Sequence, residues 1–295
     1  MRAQKADTGS VTLAYETFGE SGRPPVLLIM GLGAQMVGWH PDFCEALAVG
    51  RQVVRFDNRD MGESQWLEGT VDLMACMGGD TSSAVYTLED MADDSAGLLD
   101  VLGLESAHIV GASMGGMIAQ SLAIRHPSRV RSLTSIMSTT GEPGIAQPTE
   151  AATAALMSPP AASRDEAMER ALEVNAVIGS PGYTRNERDI RDRAAQAWDR
   201  GVNPAGFARQ LAAVYASGDR TPKLRSLDVP TLVVHGEDDP LVPVAAGRAT
   251  AEAIPGAELW LIPGMGHDLP RPLWPDLIVR INALTDAVDA APAAQ

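Results

Sequence analysis

The sequence predicts an α/β protein, with a mostly parallel, doubly wound sheet and an inserted helical segment. Short strand-like runs at 25–30, 53–56, 108–111, 130–137, 229–236 and 258–263 alternate with helical stretches. The run at 25–30, PVLLIM, is continuously apolar, as a strand covered on both faces requires. Between 139 and 222 the strand signals stop, and Ala, Arg, Glu and Pro follow helical patterns instead. In open parallel sheets ligands bind outside the carboxyl ends of the strands, so chemistry is expected in the loops that follow them.

In chain order, 11–18 alternates apolar and polar residues and reads as an antiparallel edge strand, while 25–30 and 53–56 read as inner strands. The polar, glycine-rich stretch 69–83, with Met74, Cys76 and Met77 in it, reads as an entrance loop. Thr87 stands three residues before Asp90, the spacing of a capping box. It opens a helix whose apolar face is Met91, Leu98, Leu99 and Leu102, with Ser95 as a small exception, ending near Gly103. A buried strand at 108–111 leads to a helix at 116–125, which His126 and Pro127 stop, and 130–137 is the next strand. The helical insert is broken at Ser158-Pro159-Pro160, at 179–182 and at Asn203-Pro204. Strands resume at 229–236 and 258–263, and a helix over 274–288 closes the fold. The boundaries expected are a core of 1–138 plus 223–295 and a helical cap of 139–222. The last residues, 290–295, have little to bury and should fray.

Composition narrows the function. An apolar content of 45% over 295 residues is ordinary for a globular protein with a sizeable core. A formal charge of −15 repels phosphate backbones and anionic headgroups, which argues against nucleic-acid or membrane-surface partners. The two cysteines are too few for a disulfide framework or a Cys-rich zinc site. The first ten residues lack the apolar core of a signal peptide, and no run approaches the ~20 apolar residues that span a bilayer. A cytoplasmic protein, monomeric or homodimeric, is the expectation.

The stretch 109–117, IVGASMGGM, crowds glycines around one hydroxyl. Gly111-Ala112-Ser113-Met114-Gly115 matches G-x-S-x-G between a strand and a helix, the flanks that a nucleophile elbow needs. A serine on such a turn has a strained backbone, so the residues two before and two after must lack clashing side chains. Alone the pattern is weak, arising by chance in roughly one chain of this length in ten. Serine needs a base and an orienting carboxylate, and these should follow later strands. Of five histidines, His40, His108, His126 and His235 read as structural. His267 stands in a glycine-rich loop after the last strand, C-terminal to every candidate acid. Glu237, Asp238 and Asp239 follow the preceding strand; Asp239, fixed by Pro240, is the first choice and Asp238 the second.

These residues resemble the α/β-hydrolase fold family, whose chain order is serine, acid, histidine. Met30-Gly31-Leu32-Gly33 falls where that family carries its His-Gly-x-G oxyanion loop. The stretch 57–64 resembles its D-x-R-G-x-G-x-S turn, and 235–243 its H-G-x-x-D-x-x-V-P acid loop. Met30 in place of histidine, Asp60 in place of glycine and the Gly264-Met265-Gly266-His267 ending resemble the branch of aclacinomycin methylesterase and related bacterial carboxylesterases. The resemblance spans about residues 11 to 285. It implies a Ser113, Asp239, His267 triad, an oxyanion hole from the backbone N–H groups of Leu32 and Met114, and a small-molecule ester substrate without metal or organic cofactor. Haloalkane dehalogenases and epoxide hydrolases put aspartate at the elbow, so Ser113 argues against them. C–C bond hydrolases, cofactor-free perhydrolases and small-molecule receptors of the same fold remain alternatives. Gly31, Gly33 and Trp39 are expected at the substrate pocket. Met157, Met168, Val174, Val177, Ile178, Trp198, Phe207, Leu211 and Tyr215 are the insert's candidates to line it, although at helical spacing each more often belongs to the cap's own core.

Overall fold

The computed structural model describes residues 3–291. Eight strands form one sheet: β1 (Gln4–Asp7), β2 (Thr12–Gly19), β3 (Pro25–Ile29), β4 (Gln52–Phe56), β5 (Ala107–Ala112), β6 (Val130–Ile136), β7 (Thr231–Gly236) and β8 (Glu258–Ile262). Their spatial order is β1-β2-β4-β3-β5-β6-β7-β8, with β1, β2 and β4 paired antiparallel and every other pair parallel. All residues of β3, β4, β5 and β7 are buried, which is why those runs show no alternation in the sequence. The expected α/β class with a mostly parallel sheet is therefore observed. Strand β1 has no counterpart among the expected elements. Only Ala6 of its four residues is buried, so its sequence carries no apolar alternation, and pairing with β2 alone defines it.

Eleven helices surround or follow these strands among the described residues: α1 (Pro41–Leu47), α2 (Leu73–Met77), α3 (Leu88–Val101), α4 (Met114–Arg125), α5 (Glu150–Leu156), α6 (Arg164–Ile178), α7 (Glu187–Arg200), α8 (Pro204–Ser217), α9 (Thr221–Leu224), α10 (Val244–Ala253) and α11 (Trp274–Ala290). The capping box at α3 is complete in both directions between Thr87 and Asp90. Helix α4 begins two residues earlier than its glycines suggest, because Met114 follows directly from the turn at Ser113. The stretch 69–83 is not a plain loop: Asp72 caps the short helix α2, which buries Cys76 and packs on α8. Helices α5 to α9 lie between β6 and β7 in sequence. Their breaks fall at the Pro- and Gly-rich positions, with Thr149, Ser163, Asn186 and Asn203 each accepting a backbone N–H as N-caps of α5 to α8. Ala290 ends α11, and residues 292–295, expected to fray, lie outside the described residues.

Two large apolar clusters, one on each face of the sheet, form most of the core, and a small third one joins Ala14, Met36 and Val37. On one face Leu27, Ile29, Ile109 and Leu133 meet α3 and α4; on the other Leu28, Val110, Ile136 and Val234 meet α1 and α11. No helix of the described residues is long and apolar enough to cross a membrane. Strand β3 sits between β4 and β5, so the connection leaving β3 runs to one side, to β4, that leaving β5 runs to the other, to β6, and the strand order reverses between β3 and β5. The loops after β3 and β5 open at this crevice, the place where open α/β sheets bind ligands.

Candidate active site

Ser113 connects β5 to α4 with φ +56° and ψ −122°, a left-handed conformation that costs a non-glycine residue about 1–3 kcal/mol. The surroundings over-determine it. The Ser113 N–H donates to the Ile136 carbonyl at 2.9 Å, and the Ser138 hydroxyl donates to the Ser113 carbonyl at 2.8 Å, so the end of β6 and the loop just after it hold both backbone groups of the serine. A methyl group on Gly111 would lie 2.2 Å from the Gly115 carbonyl oxygen, and one on Gly115 would lie 2.1 Å from that of Ile29. These glycines let α4 start flush against β5 and β3. Gly116 has a different role: its face meets Ser135 and Ser138, so it packs the helix on β6.

His267 and Asp239 arrive from the loops after β8 and β7, which are sheet neighbours. The Nδ1–H of His267 donates to Asp239 Oδ2 at 2.7 Å, which leaves Nε2 with its lone pair 3.0 Å from Ser113 Oγ. Asp239 Oδ1 accepts from the N–H groups of Leu241 and Val242 at 2.9 and 2.8 Å, so each carboxylate oxygen has a separate task. Asp238, the second choice, points elsewhere and accepts from the Gly264 N–H at 2.7 Å, bracing the histidine loop. His235 is fully buried and donates from Nε2 to the Val242 carbonyl at 2.7 Å, which closes the acid loop. Burial lowers its basicity and keeps that ring neutral.

The backbone N–H groups of Leu32 and Met114 meet no protein acceptor among the described residues. Gly31 packs within 3.0 Å of the Ser113 Cβ when a methyl group is placed on it, so the loop after β3 lies directly beside the serine. A hub at 57–64 braces this loop. Asp57 Oδ1 accepts from the Met36 N–H at 2.7 Å, and the Asn58 side-chain amide donates to the Met30 carbonyl at 2.9 Å. Asp57 also pairs with Arg200 of α7, although burial pushes its carboxyl up from the ordinary carboxylate range. Asp60, with φ +72°, accepts from the Nε and an Nη of Arg209 on α8 at 2.8 and 2.7 Å. The departures from the family pattern thus have physical roles: Asp60 anchors α8, and the Met30 side chain fills the space above Gly38.

A cavity of about 670 Å³ adjoins Leu32, Gly33 and His267. Of the nine candidates from the insert, Met157, Val174, Ile178, Trp198 and Phe207 line it. Met168, Val177, Leu211 and Tyr215 do not: Leu211 is buried in packing, and Val177 and Tyr215 are exposed on other faces. Trp39 is a correction too. It is 1% exposed and stacks on Phe43 with ring centroids 5.7 Å apart, so it packs beneath the loop and lines no substrate space. Gly33, with φ +67°, does face the cavity, where the Phe207 ring sits against it and its N–H donates to Gln210.

A clasp between α6 and the histidine loop has no sequence signal. The His267 N–H donates to the Ile178 carbonyl at 2.6 Å, the Gly266 N–H to the Ser180 hydroxyl at 3.0 Å, and the Gly182 N–H to the Gly264 carbonyl at 2.9 Å. Asp268 accepts from Asn175 and from the Ser180 backbone, each at 3.0 Å.

Chemically, the imidazole can take the Oγ proton while the two free N–H groups and the α4 N-terminus stabilise negative charge beside the serine. The comparisons agree with the architecture. The α/beta hydrolase fold family model matches residues 24–270. Rhodomycin D methylesterase of Streptomyces sp. (strain C5) is 28% identical over 301 residues, covering 94% of this chain and 96% of that one. The enol-lactonase of Burkholderia xenovorans LB400 superposes with a TM-score of 0.75 at 24% identity, over 96% of this chain and 100% of that one. A 2-hydroxy-6-oxo-6-phenylhexa-2,4-dienoate hydrolase from Rhodococcus sp. strain RHA1 gives 0.74 at 21%, over 96% and 98%. With a family match that spans most of the chain and a sheet of the same fold, the protein belongs to the α/β-hydrolase fold family.

Proposed function

We propose that the protein is a serine carboxylesterase that cleaves small to medium, largely apolar esters, methyl esters among them, through an acyl-enzyme. The observation that carries this reading is the Ser113–His267–Asp239 relay, with steps of 3.0 and 2.7 Å, beside an apolar cavity of about 670 Å³. A methylesterase among the relatives supports the choice of ester over other acyl substrates.

In the proposed cycle Ser113 Oγ attacks the ester carbonyl as His267 Nε2 takes its proton, and Asp239 stabilises the imidazolium. The N–H groups of Leu32 and Met114 bind the oxyanion. Protonated His267 then gives its proton to the departing alcohol, and a water repeats the attack on the acyl-enzyme. Every step uses protein groups and water. Helices α5 to α8 act as a cap, residues 139–222, over the core of 1–138 and 223–295, and their cavity-lining residues select the acyl or alcohol group.

Replacement of Ser113 by alanine tests the reading. Turnover of a short p-nitrophenyl ester should fall by at least about 10³-fold, with the thermal transition kept and labelling by a fluorophosphonate lost. Turnover near the wild-type level in that variant would overturn it.

A further inference from the structure

Helix α7 turns the face Ile190, Arg193, Ala194, Ala197 and Trp198 toward the cavity. The spacing is that of one helical stripe, apolar at every position except 193. Arg193 makes no ion pair among the described residues, and its one hydrogen bond runs from Nε to the Asp189 carbonyl in its own helix, at a long 3.3 Å. Arg170, on the same cavity wall, differs: its guanidinium is taken up by the carbonyl and hydroxyl of Ser158. The two terminal nitrogens of Arg193 therefore carry unpaired donors on the wall between this cavity and a neighbouring cleft.

Arg193 is half-buried, so its free donors have only cavity water to satisfy them in a largely apolar wall and are open to an anionic ligand that enters. Burial here depresses its basicity, against the more distant pull of Asp189 and Asp268. A planar fork of N–H donors suits a carboxylate, which it can bind in a bidentate manner. The chain's charge of −15 does not decide the matter, since at a cavity wall the nearest charges outweigh distant ones screened by water.

We propose that Arg193 is a specificity-determining residue that binds a carboxylate of the substrate, remote from the scissile ester, so that the preferred substrates are esters bearing a free carboxylate on an apolar chain. This rests on the esterase reading for the scissile bond but not for the binding of the acid. The test has two arms. The first compares monomethyl esters of straight-chain diacids, from succinate to suberate, with neutral methyl esters of matched length. At one chain length or more the wild type should favour the acid in kcat/KM by about 10- to 100-fold, the range expected of a hydrogen-bonded charge pair. In Arg193→Met that ratio should collapse toward one, and Arg193→Lys should keep part of it. No acid preference at any length, or a ratio unchanged in Arg193→Met, would overturn the proposal.

The second arm is independent of catalysis. Calorimetric titration with glutarate, adipate and suberate should show binding to the wild type that weakens tenfold or more in Arg193→Met. Equal binding by both proteins, or by neither, would count against the site. Loss of fluorophosphonate labelling at Ser113 with diacid binding retained would instead sink the esterase reading alone.

Discussion

Asp60 offers a perturbation whose size follows from its contacts. It is fully buried, stands at φ +72°, and receives donors from Arg209, from the Tyr86 hydroxyl at 2.8 Å and from the Leu67 N–H at 2.7 Å. Arg209 is itself only 4% exposed. Asp60→Asn keeps the tolerance for positive φ but removes the charge, which leaves a buried guanidinium uncompensated at a cost of about 3–5 kcal/mol. For 295 residues that corresponds to a fall of about 5–8 °C in Tm. Asp60→Gly relieves backbone strain of about 1 kcal/mol and should be slightly less damaging. Arg209→Met in the Asp60→Gly background should recover much of the loss, because the orphaned charge is gone. Burial alone would raise the Asp60 carboxyl, but hydrogen bonds from Arg209, Leu67 and Tyr86 hold it below the ordinary range. A carboxylate so depressed adds stability in full above its unfolded value of about 3.9 and loses it as pH falls through its folded value. The gap between wild type and Asp60→Asn should therefore narrow below about pH 4. Calorimetric melting of the four proteins between pH 3 and 8 measures all of this. Single variants within 1 °C of wild type at pH 7, or a double variant no better than Asp60→Gly, would refute the reasoning.

Two further outcomes are expected. Gly115→Ala places a methyl group 2.1 Å from the Ile29 carbonyl oxygen, so α4 must move by about 1 Å; overpacking of this kind costs about 1–3 kcal/mol and the misplacement about 10²-fold in kcat. A Gly115→Ala enzyme with wild-type kcat would show that Met114 tolerates the shift. Asp268→Ala removes the acceptor for Asn175 and Ser180, which should lower kcat by about tenfold or more while KM changes little, with partial rescue in Asp268→Asn. Steady-state kinetics that show an effect on KM alone would assign the clasp to substrate binding rather than to placing His267.

The loops at the strand ends were legible because their chemistry is local. Gly111 and Gly115 are read from a five-residue window, and the clashes that exclude any side chain there involve backbone four or five residues on, or the end of strand β3 at Ile29 and Met30. The choice of Asp239 over Asp238 is harder, since adjacent carboxylates share one turn. It is the Oδ1 bonds to Leu241 and Val242 that aim the second oxygen at His267. Trp39 shows where proximity in sequence misleads: it follows the loop beside Ser113, yet the stacking surface of Phe43 draws it into the core.

The braces were illegible for a different reason. Ser138 to the Ser113 carbonyl, Gln210 to the Gly33 N–H, and Ser180 to the Gly266 N–H each span from 25 to 177 positions. Each uses a common polar side chain against an ordinary backbone group, and such a pair has no composition or spacing of its own. These contacts nonetheless hold the elbow, the loop after β3 and the histidine loop in register, and two of them originate in the insert between β6 and β7, one in α8 and one in the connection after α6. A substitution in α6 or α8 that touches no substrate can thereby shift an N–H or an imidazole beside Ser113. Since a displacement of about 1 Å is worth about 10²-fold in rate, the insert bears on the chemical step as well as on the shape of the cavity. For Asp268 the expected signature is accordingly in kcat, and for Arg193 in the ratio between acid and neutral substrates, so one set of kinetic measurements separates the two ways in which the same helices act.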